Sequence, residues 1–418
     1  MNSKLTIRNS QFKIESPRQI LWVLTLINFF NYFDRQVIFP LFAFLKIDFA
    51  LTDFELGLLG TVFMIVHAAA SVPLGILADK WVRKNIISFG VIVWSIATFF
   101  SGLVNNFHQL LAARSIVGIG EAAYGPAATS LLADKFHEDK RAHVNSIFHL
   151  GMFAGGTLGM ILAGVLGTHL GWRICFFIVG IPGFILAIIS WNIFEKKQKH
   201  EFHVDIEKQT IYSMFKIKEY VMVLIGGIFL TFTSGSIISW ITVFIVRYHN
   251  FSVQDASIYL GSIVLVAGLA GIYFGGKFAD KYYKKGKPRS FLISIGFIVA
   301  TPLLFVIATT SSKALLLVSL TLSTFFMAWY YGPIVALIQD IVPFHLKASA
   351  YAFYIFFVHL LGDTMAPSII GKLSDISDLR TAFYLPIATN LIGALFFVIT
   401  TRIMKKKAMG NEQLALNN

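Results

Sequence analysis

Gly75-Ile76-Leu77-Ala78-Asp79-Lys80-Trp81-Val82-Arg83-Lys84 recurs in this chain as Gly276-Lys277-Phe278-Ala279-Asp280-Lys281-Tyr282-Tyr283-Lys284-Lys285. A second motif, Tyr124-Gly125-Pro126, recurs as Tyr331-Gly332-Pro333 at nearly the same offset, close to half of the 418 residues. Two unrelated motifs displaced by one distance mark an internal repeat. The chain reads as two related halves.

Both halves are written for lipid. Hydrophobic residues make up 56% of the chain and charged residues 14%, with a mean hydropathy of +0.70, whereas soluble domains carry about 25% charged residues. A helix needs roughly 20 apolar residues to cross a hydrocarbon core about 30 Å thick. Twelve runs qualify, at 20–44, 56–78, 85–104, 108–132, 143–167, 172–194, 221–246, 255–279, 290–309, 314–339, 347–371 and 380–403. Helical periodicity adds little, because lipid selects helices that are apolar all round. The expected fold is an all-α membrane protein of twelve transmembrane helices in two pseudo-symmetric six-helix bundles.

Other classes are disfavoured. The one cysteine, Cys175, offers neither a disulfide framework nor a thiolate metal site, and no metal ligand set is expected. The first 19 residues are polar and basic and read as a tail, not a cleavable signal peptide. The net charge of +13 reads as basic loops against anionic lipid rather than as a nucleic-acid surface.

Those basic residues set the orientation. Lys4, Arg8, Lys13 and Arg18 precede the first run. Alternate loops carry Lys80, Arg83 and Lys84, then Lys135, Lys140 and Arg141, then six lysines between Lys196 and Lys218. The series continues with Lys281 to Arg289, Lys347, Arg402 and Lys405 to Lys407. The opposite side has only Lys46, Arg173, Arg247, Lys313, Lys372 and Arg380, which makes 26 against 6. Both termini are therefore expected in the cytoplasm. The expected organisation is a cytoplasmic tail at 1–19, a first bundle at 20–194, a linker at 195–220, a second bundle at 221–404 and a tail at 405–418.

Ionisable residues inside spans carry the functional signal, since each costs about 2.5–3.5 kcal/mol at mid-bilayer. The first span places Asn28, Asn31, Asp34 and Arg35 on one stripe. The fourth places Arg114, Gly118, Glu121 and Gly125 on one face, with the acid and the base two turns apart. Both can meet a third group, and Asp34 is the natural candidate. Asp34 and Glu121 are the expected proton carriers, Arg114 the residue that retunes them, and Arg35 a second partner or an anion contact. In the eleventh span His359 and Asp363 are four apart and share a face. A polar series on the seventh span, Thr233, Ser236, Ser239, Trp240 and Thr242, is expected to face a cavity, with aromatic residues near Phe325 and Trp329 as wall. Asp375, near the outer end of the eleventh span, is expected to be solvated.

The segment from Gly75 to Lys84 resembles the cytoplasmic signature loop of the major facilitator superfamily, G-x-x-x-D-R/K-x-G-R/K-R/K, with Val82 in place of the second glycine. The resemblance implies a conformational latch built from Gly75, Asp79, Arg83, Gly276, Asp280 and Lys284. Gly75 would admit a close helix contact, and Asp79 would meet a helix N-terminus or Arg83.

Asn31-Tyr32-Phe33-Asp34-Arg35, Gly118-Ile-Gly120-Glu121-Ala122 and His359-Leu-Leu-Gly362-Asp363 with Pro367 and Gly371 are similar to the Spinster branch of that superfamily. The likeness runs from about 20 to 400. It implies a proton-coupled secondary transporter of the inner membrane, without a bound cofactor, moving a lysophospholipid or sphingolipid-like anionic amphiphile by alternating access. Substrate contacts are expected from Asn31, Arg35, Tyr124, Trp240, Tyr331, His359 and Asp363. The expected partners are the lipid bilayer, the substrate and protons, with no nucleic acid and a monomeric state. The alternative is a proton:organic-anion symporter for a small carboxylate such as a sugar acid. A non-transporting receptor would need an appended signalling domain, and an enzyme a nucleophile–base arrangement that the sequence does not offer.

Overall fold

The computed structural model describes residues 13–195, 213–343 and 346–416, apart from a few side chains, that of Asp79 among them. Most of the linker expected at 195–220 thus lies outside the described residues. Twelve helical spans follow one another. The first bundle holds α1 (Pro17–Asp48), α2 (Asp53–Lys80), α3 (Arg83–Ser101), α4 (Phe107–Ala122, continued by Tyr124–Lys135), α5 (Glu138–Leu170) and α6 (Trp172–Trp191). The second holds α7 (Lys218–His249), α8 (Val253–Tyr283), α9 (Arg289–Thr309), α10 (Lys313–Ile341), α11 (Lys347–Ile376) and α12 (Leu379–Ala382, continued by Tyr384–Leu416). The last helix runs through most of the segment expected to be a tail.

Among the described residues, ten of these helices are long and apolar enough to cross a membrane by length and composition. The other two are α1 and α4, which carry the charged residues singled out above. Asn28, Asn31, Asp34 and Arg35 make α1 too polar to qualify, and α4 is interrupted after Ala122.

The interruptions repeat between the halves and have a local cause. Proline lacks an N–H, and its ring crowds the carbonyl four residues earlier. Pro126 accordingly follows the break at Ala123, and Pro333 follows a tight turn at Ala328–Tyr330. In α8 and α11 the helix instead widens by one residue, forming π turns at Val264–Gly268 and His359–Asp363. Starts are capped by side chains. Thr52 and Glu55 form a reciprocal box on α2, and Asn106 and Ser252 accept from backbone N–H groups of α4 and α8.

Within the first bundle, α5 lies against α1 along Gly151, Gly155 and Gly159, where an added Cβ would strike backbone at Thr25, Phe29 and Phe33. Between bundles the seam lies on the face opposite the termini. A Cβ on Gly57 would strike the carbonyl of Pro367, and one on Gly371 that of Asp53. Gly164 of α5 is similarly tight against Ser257 of α8. On the face that carries the termini, Pro126, Thr129, Tyr331 and Gly332 are exposed, and Gly125 and Gly276 have no neighbour that a Cβ would touch. The two bundles therefore meet on one face and part on the other.

Candidate functional site: a charged cleft between the bundles

Two ion pairs link α1 to α4. Arg114 Nη1 donates to Asp34 Oδ1 at 2.9 Å, and each side chain is only 1% exposed. The Thr98 hydroxyl of α3 donates to the other carboxylate oxygen of Asp34. One residue along α1, Arg35 Nε donates to Glu121 Oε2 at 2.6 Å. Arg35 Nη2 lies 2.8 Å from His67 Nε2 of α2.

The backbone explains this pairing. Arg114 and Glu121 are separated by seven residues, about 10 Å along a helix axis. One short aspartate on α1 cannot serve both, so Asp34 takes the arginine and the longer Arg35 reaches the glutamate. The expectation that Asp34 gathers both charges is corrected here. Phe63 of α2 lies under both guanidinium groups, 5.6 Å from that of Arg35 and 5.1 Å from that of Arg114, and Tyr32 stacks on Arg35 at 4.9 Å. These ring faces favour the cations and exclude water from one side of them.

Across the cleft, His359 Nδ1 and Asp363 Oδ2 are 2.8 Å apart on α11. Asp363 acts electrostatically on Arg35, and His359 on His67, so the α11 pair faces the first-bundle network. Asn31 Nδ2, Arg114 Nε, Glu121 Oε1 and Asp363 Oδ1 are buried with no hydrogen-bond partner. Buried polar groups are rarely left so. This cluster has capacity for water or for a polar ligand group.

Other expected contacts fall elsewhere. Tyr124 is 2% exposed, donates to the Leu24 carbonyl and packs edge-on against Trp94. It braces the first bundle and does not line the cleft. Trp240 has no exposed surface, donates through Nε1 to the Pro367 carbonyl at 2.9 Å and packs on Phe42. It is a pillar of the seam. The polar series on α7 is likewise buried, with Thr233 bonded to Pro386 and Thr389 of α12. Tyr331 is 53% exposed and stands at the parted face. Trp329 packs with Phe278, Phe325 and Phe326.

Asp375 is not simply solvated. Its carboxylate accepts from the backbone N–H groups of Asp53 and Phe54, both at 2.8 Å, at the start of α2. An anion is well placed at a helix N-terminus.

The latch residues behave unevenly. A Cβ on Gly75 would meet only Pro126 at 3.9 Å, so the close contact expected there is not made. The Asp79 side chain lies outside the described residues. Arg83 is held within its own bundle by Glu195 at 2.8 Å, Ser130 at 2.8 Å and Asp134. The counterpart of Arg83 is not Lys284, as motif alignment predicts, but Arg289. Each of these arginines is the first residue of its helix, α3 or α9. Arg289 bonds Asp340 near the end of α10, as Arg83 bonds Asp134 near the end of α4. It also approaches Asp280 at 3.5 Å. Five extra residues in the second turn displace the cation from its aligned position.

Sequence reasoning passed over His67, Thr98, Phe63 and Arg289. His67 left a usable signal. It is the one ionisable residue between Glu55 and Asp79, and an ionisable group in a span marks function by default.

A family model described as Major Facilitator Superfamily matches residues 24–367. Protein spinster of Drosophila melanogaster is 27% identical over 378 residues, covering 84% of this chain and 61% of its own length. The sphingosine-1-phosphate transporter SPNS2 of Danio rerio is 26% identical, over 87% of this chain and 77% of that protein. An MFS-type efflux pump of Mycolicibacterium smegmatis is 26% identical, over 90% of each. Among solved structures, a bacterial homologue of the human lysosomal transporter Spinster, inward-facing and unoccupied, superposes with a TM-score of 0.82. It has 24% identity and covers 92% of this chain and 97% of its own. A D-xylose-proton symporter superposes with a TM-score of 0.74 at 16% identity, over 91% of this chain and 97% of its own. Both structural likenesses speak to the fold.

Proposed function

This chain belongs to the Major Facilitator Superfamily, a multi-pass membrane transporter and not an enzyme, and we propose that it couples proton movement to transport of an anionic amphiphile. The observation that carries the reading is the pair of buried ion pairs, Asp34–Arg114 and Arg35–Glu121, set beside a cleft that is parted on one face. Each carboxylate is neutralised by one arginine, so a proton arriving on the acid releases its cation. Asp34 and Glu121 are the carriers, Arg114 holds Asp34, and Arg35 has the more accessible guanidinium, 18% exposed against 1%.

In this reading Arg35 meets the anionic group of the substrate, with His359 and Asp363 facing it from the second bundle. Asn31 supplies a polar contact, and Tyr331 stands where the substrate passes. The two bundles rock about the cleft. The face bearing both termini is cytoplasmic, so the arrangement described is open to the cytoplasm. The protein acts as a monomer in the inner membrane, drawing on the proton gradient without a bound cofactor. The turns at Gly75–Arg83 and Gly276–Lys284, with Asp79 and Asp280, close that face in the alternate state.

The amphiphile is favoured over a small carboxylate by likeness to relatives whose printed names include a sphingosine-1-phosphate transporter. Reconstituted protein should accumulate a lysophospholipid or sphingoid phosphate faster under an imposed pH gradient than without one. Uptake of sugar acids but not of lipids would replace the substrate class. Uptake of neither, with or without the gradient, would sink the reading.

A further inference from the structure

We propose that His67 is the proton-responsive residue that decides where the Arg35 guanidinium points. The argument begins with hydrogen-bond capacity. Arginine has five N–H donors, no acceptor, and stays charged. The 2.8 Å contact between Arg35 Nη2 and His67 Nε2 therefore has the imidazole nitrogen accepting. An accepting Nε2 means a neutral ring with its hydrogen on Nδ1. The contact fixes both the charge and the tautomer of His67.

Proton uptake at His67 abolishes the contact. The proton takes the Nε2 lone pair, both ring nitrogens become donors, and two cations then face each other. Arg35 keeps its Nε bond to Glu121, so the guanidinium pivots about that bond and its Nη2 is set free.

A second acceptor waits across the cleft. Asp363 Oδ1 is buried without a hydrogen-bond partner, although its Oδ2 engages His359, and Asp363 already acts electrostatically on Arg35. The groups around His67 are thus Arg35 of α1, Glu121 reached through Arg35, and His359 and Asp363 of α11. On its own helix Phe63 sits 6.0 Å away, ring to ring, and α4 packs against the His67 backbone at Gly118. The ring is confined by these neighbours, and Arg35 is the part that moves. His67 is a positioning residue. It selects whether the guanidinium stays within the first bundle or turns toward the second.

Two measurements test this. Nitrogen-15 spectra of imidazole-labelled protein, with His67→Gln used to assign the signal, should show a neutral ring protonated on Nδ1 near pH 8. A ring protonated on Nε2, or doubly protonated, at that pH overturns the assignment without reference to transport. The consequence for turnover rests on the transport reading above, and wild-type uptake in the same vesicles is its control. His67→Ala should raise KM about tenfold, the scale of one hydrogen bond to a charged group. His67→Gln, whose amide oxygen accepts but does not titrate, should restore KM toward wild type. It should also flatten the pH profile between about pH 5 and 8. A wild-type pH profile in His67→Gln, or an unchanged KM in His67→Ala, overturns the proposal. Absent uptake by wild type overturns the transport reading instead, and the spectrum still decides the tautomer.

Discussion

Arg247 grips Asp53 with two parallel hydrogen bonds, Nη1 to Oδ2 and Nη2 to Oδ1, both 2.6 Å, tying the end of α7 to the start of α2. Lys46 and Ser374 add bonds of 2.5 Å to the same carboxylate, whose side chain is 3% exposed. One aspartate thereby joins α1, α2, α7 and α11 on the closed face.

Asp53→Asn should favour the state in which that face opens. Loss of a buried partner costs about 3–5 kcal/mol, and 3 kcal/mol shifts a two-state ratio by about a hundredfold. Spin labels at Leu103 and Ser311, both exposed on that face, would report longer separations in the mutant. The buried Cys175 leaves little background labelling. An unchanged distance distribution would remove Asp53 from the closing mechanism.

Gly57 and Gly155 should separate conformational from folding defects. Gly57→Ala drives a Cβ into Pro367 across the seam, whereas Gly155→Ala drives one into Phe29 within the first bundle. The first change is expected to shift the state balance at nearly constant melting temperature. The second should lower the melting temperature, since overpacking costs about 1–3 kcal/mol. Thermal denaturation in detergent distinguishes them, and equal losses in both would count against the seam assignment.

Asp34→Asn and Glu121→Gln should abolish accumulation driven by a pH gradient while leaving exchange of labelled for unlabelled substrate. The amides keep the shape of each site but carry no proton. Full gradient-driven accumulation in both variants would return these pairs to a purely structural role. Arg114→Ala is expected to be worse for folding than either, because it strands the Asp34 carboxylate in a site 1% exposed, at a cost of about 3–5 kcal/mol.

Arg83→Ala and Arg289→Ala should each destabilise one bundle, and Lys284→Ala should not. Arg83 is 7% exposed and serves two carboxylates, Arg289 is 15% exposed and bonds Asp340, and Lys284 is exposed. Melting temperatures in detergent provide the comparison. A Lys284 defect as large as that of Arg289 would restore the pairing drawn from motif alignment.

These cases show what the sequence makes legible. Span number, halves and the set of buried charges on α1 and α4 follow from lipid's demand for apolar helices and from the cost of each exception. Pair assignments do not follow, because Asp34 and Arg35 are adjacent and only their reach decides which meets Arg114 and which Glu121. Trp240 misleads for a related reason. A polar-edged aromatic on an interior face can equally line a cleft or seal a seam, and the distinction depends on the opposing helix. Arg289 was hidden by five extra residues in a turn, which break the register that alignment assumes. His67 was readable and overlooked.

The widened turn at His359–Asp363 has a bearing on how this protein can be varied. One surplus residue there rotates everything beyond it about the helix axis, by about 100°. The aim of Pro367, Gly371 and Ser374 at α2 thus depends on a count of residues upstream, not only on their identities. Substitution scanning is blind to such a count, because every single replacement preserves it. Removing Leu361 alone would test it, by turning the far third of α11 away from its neighbour while changing none of the residues that touch.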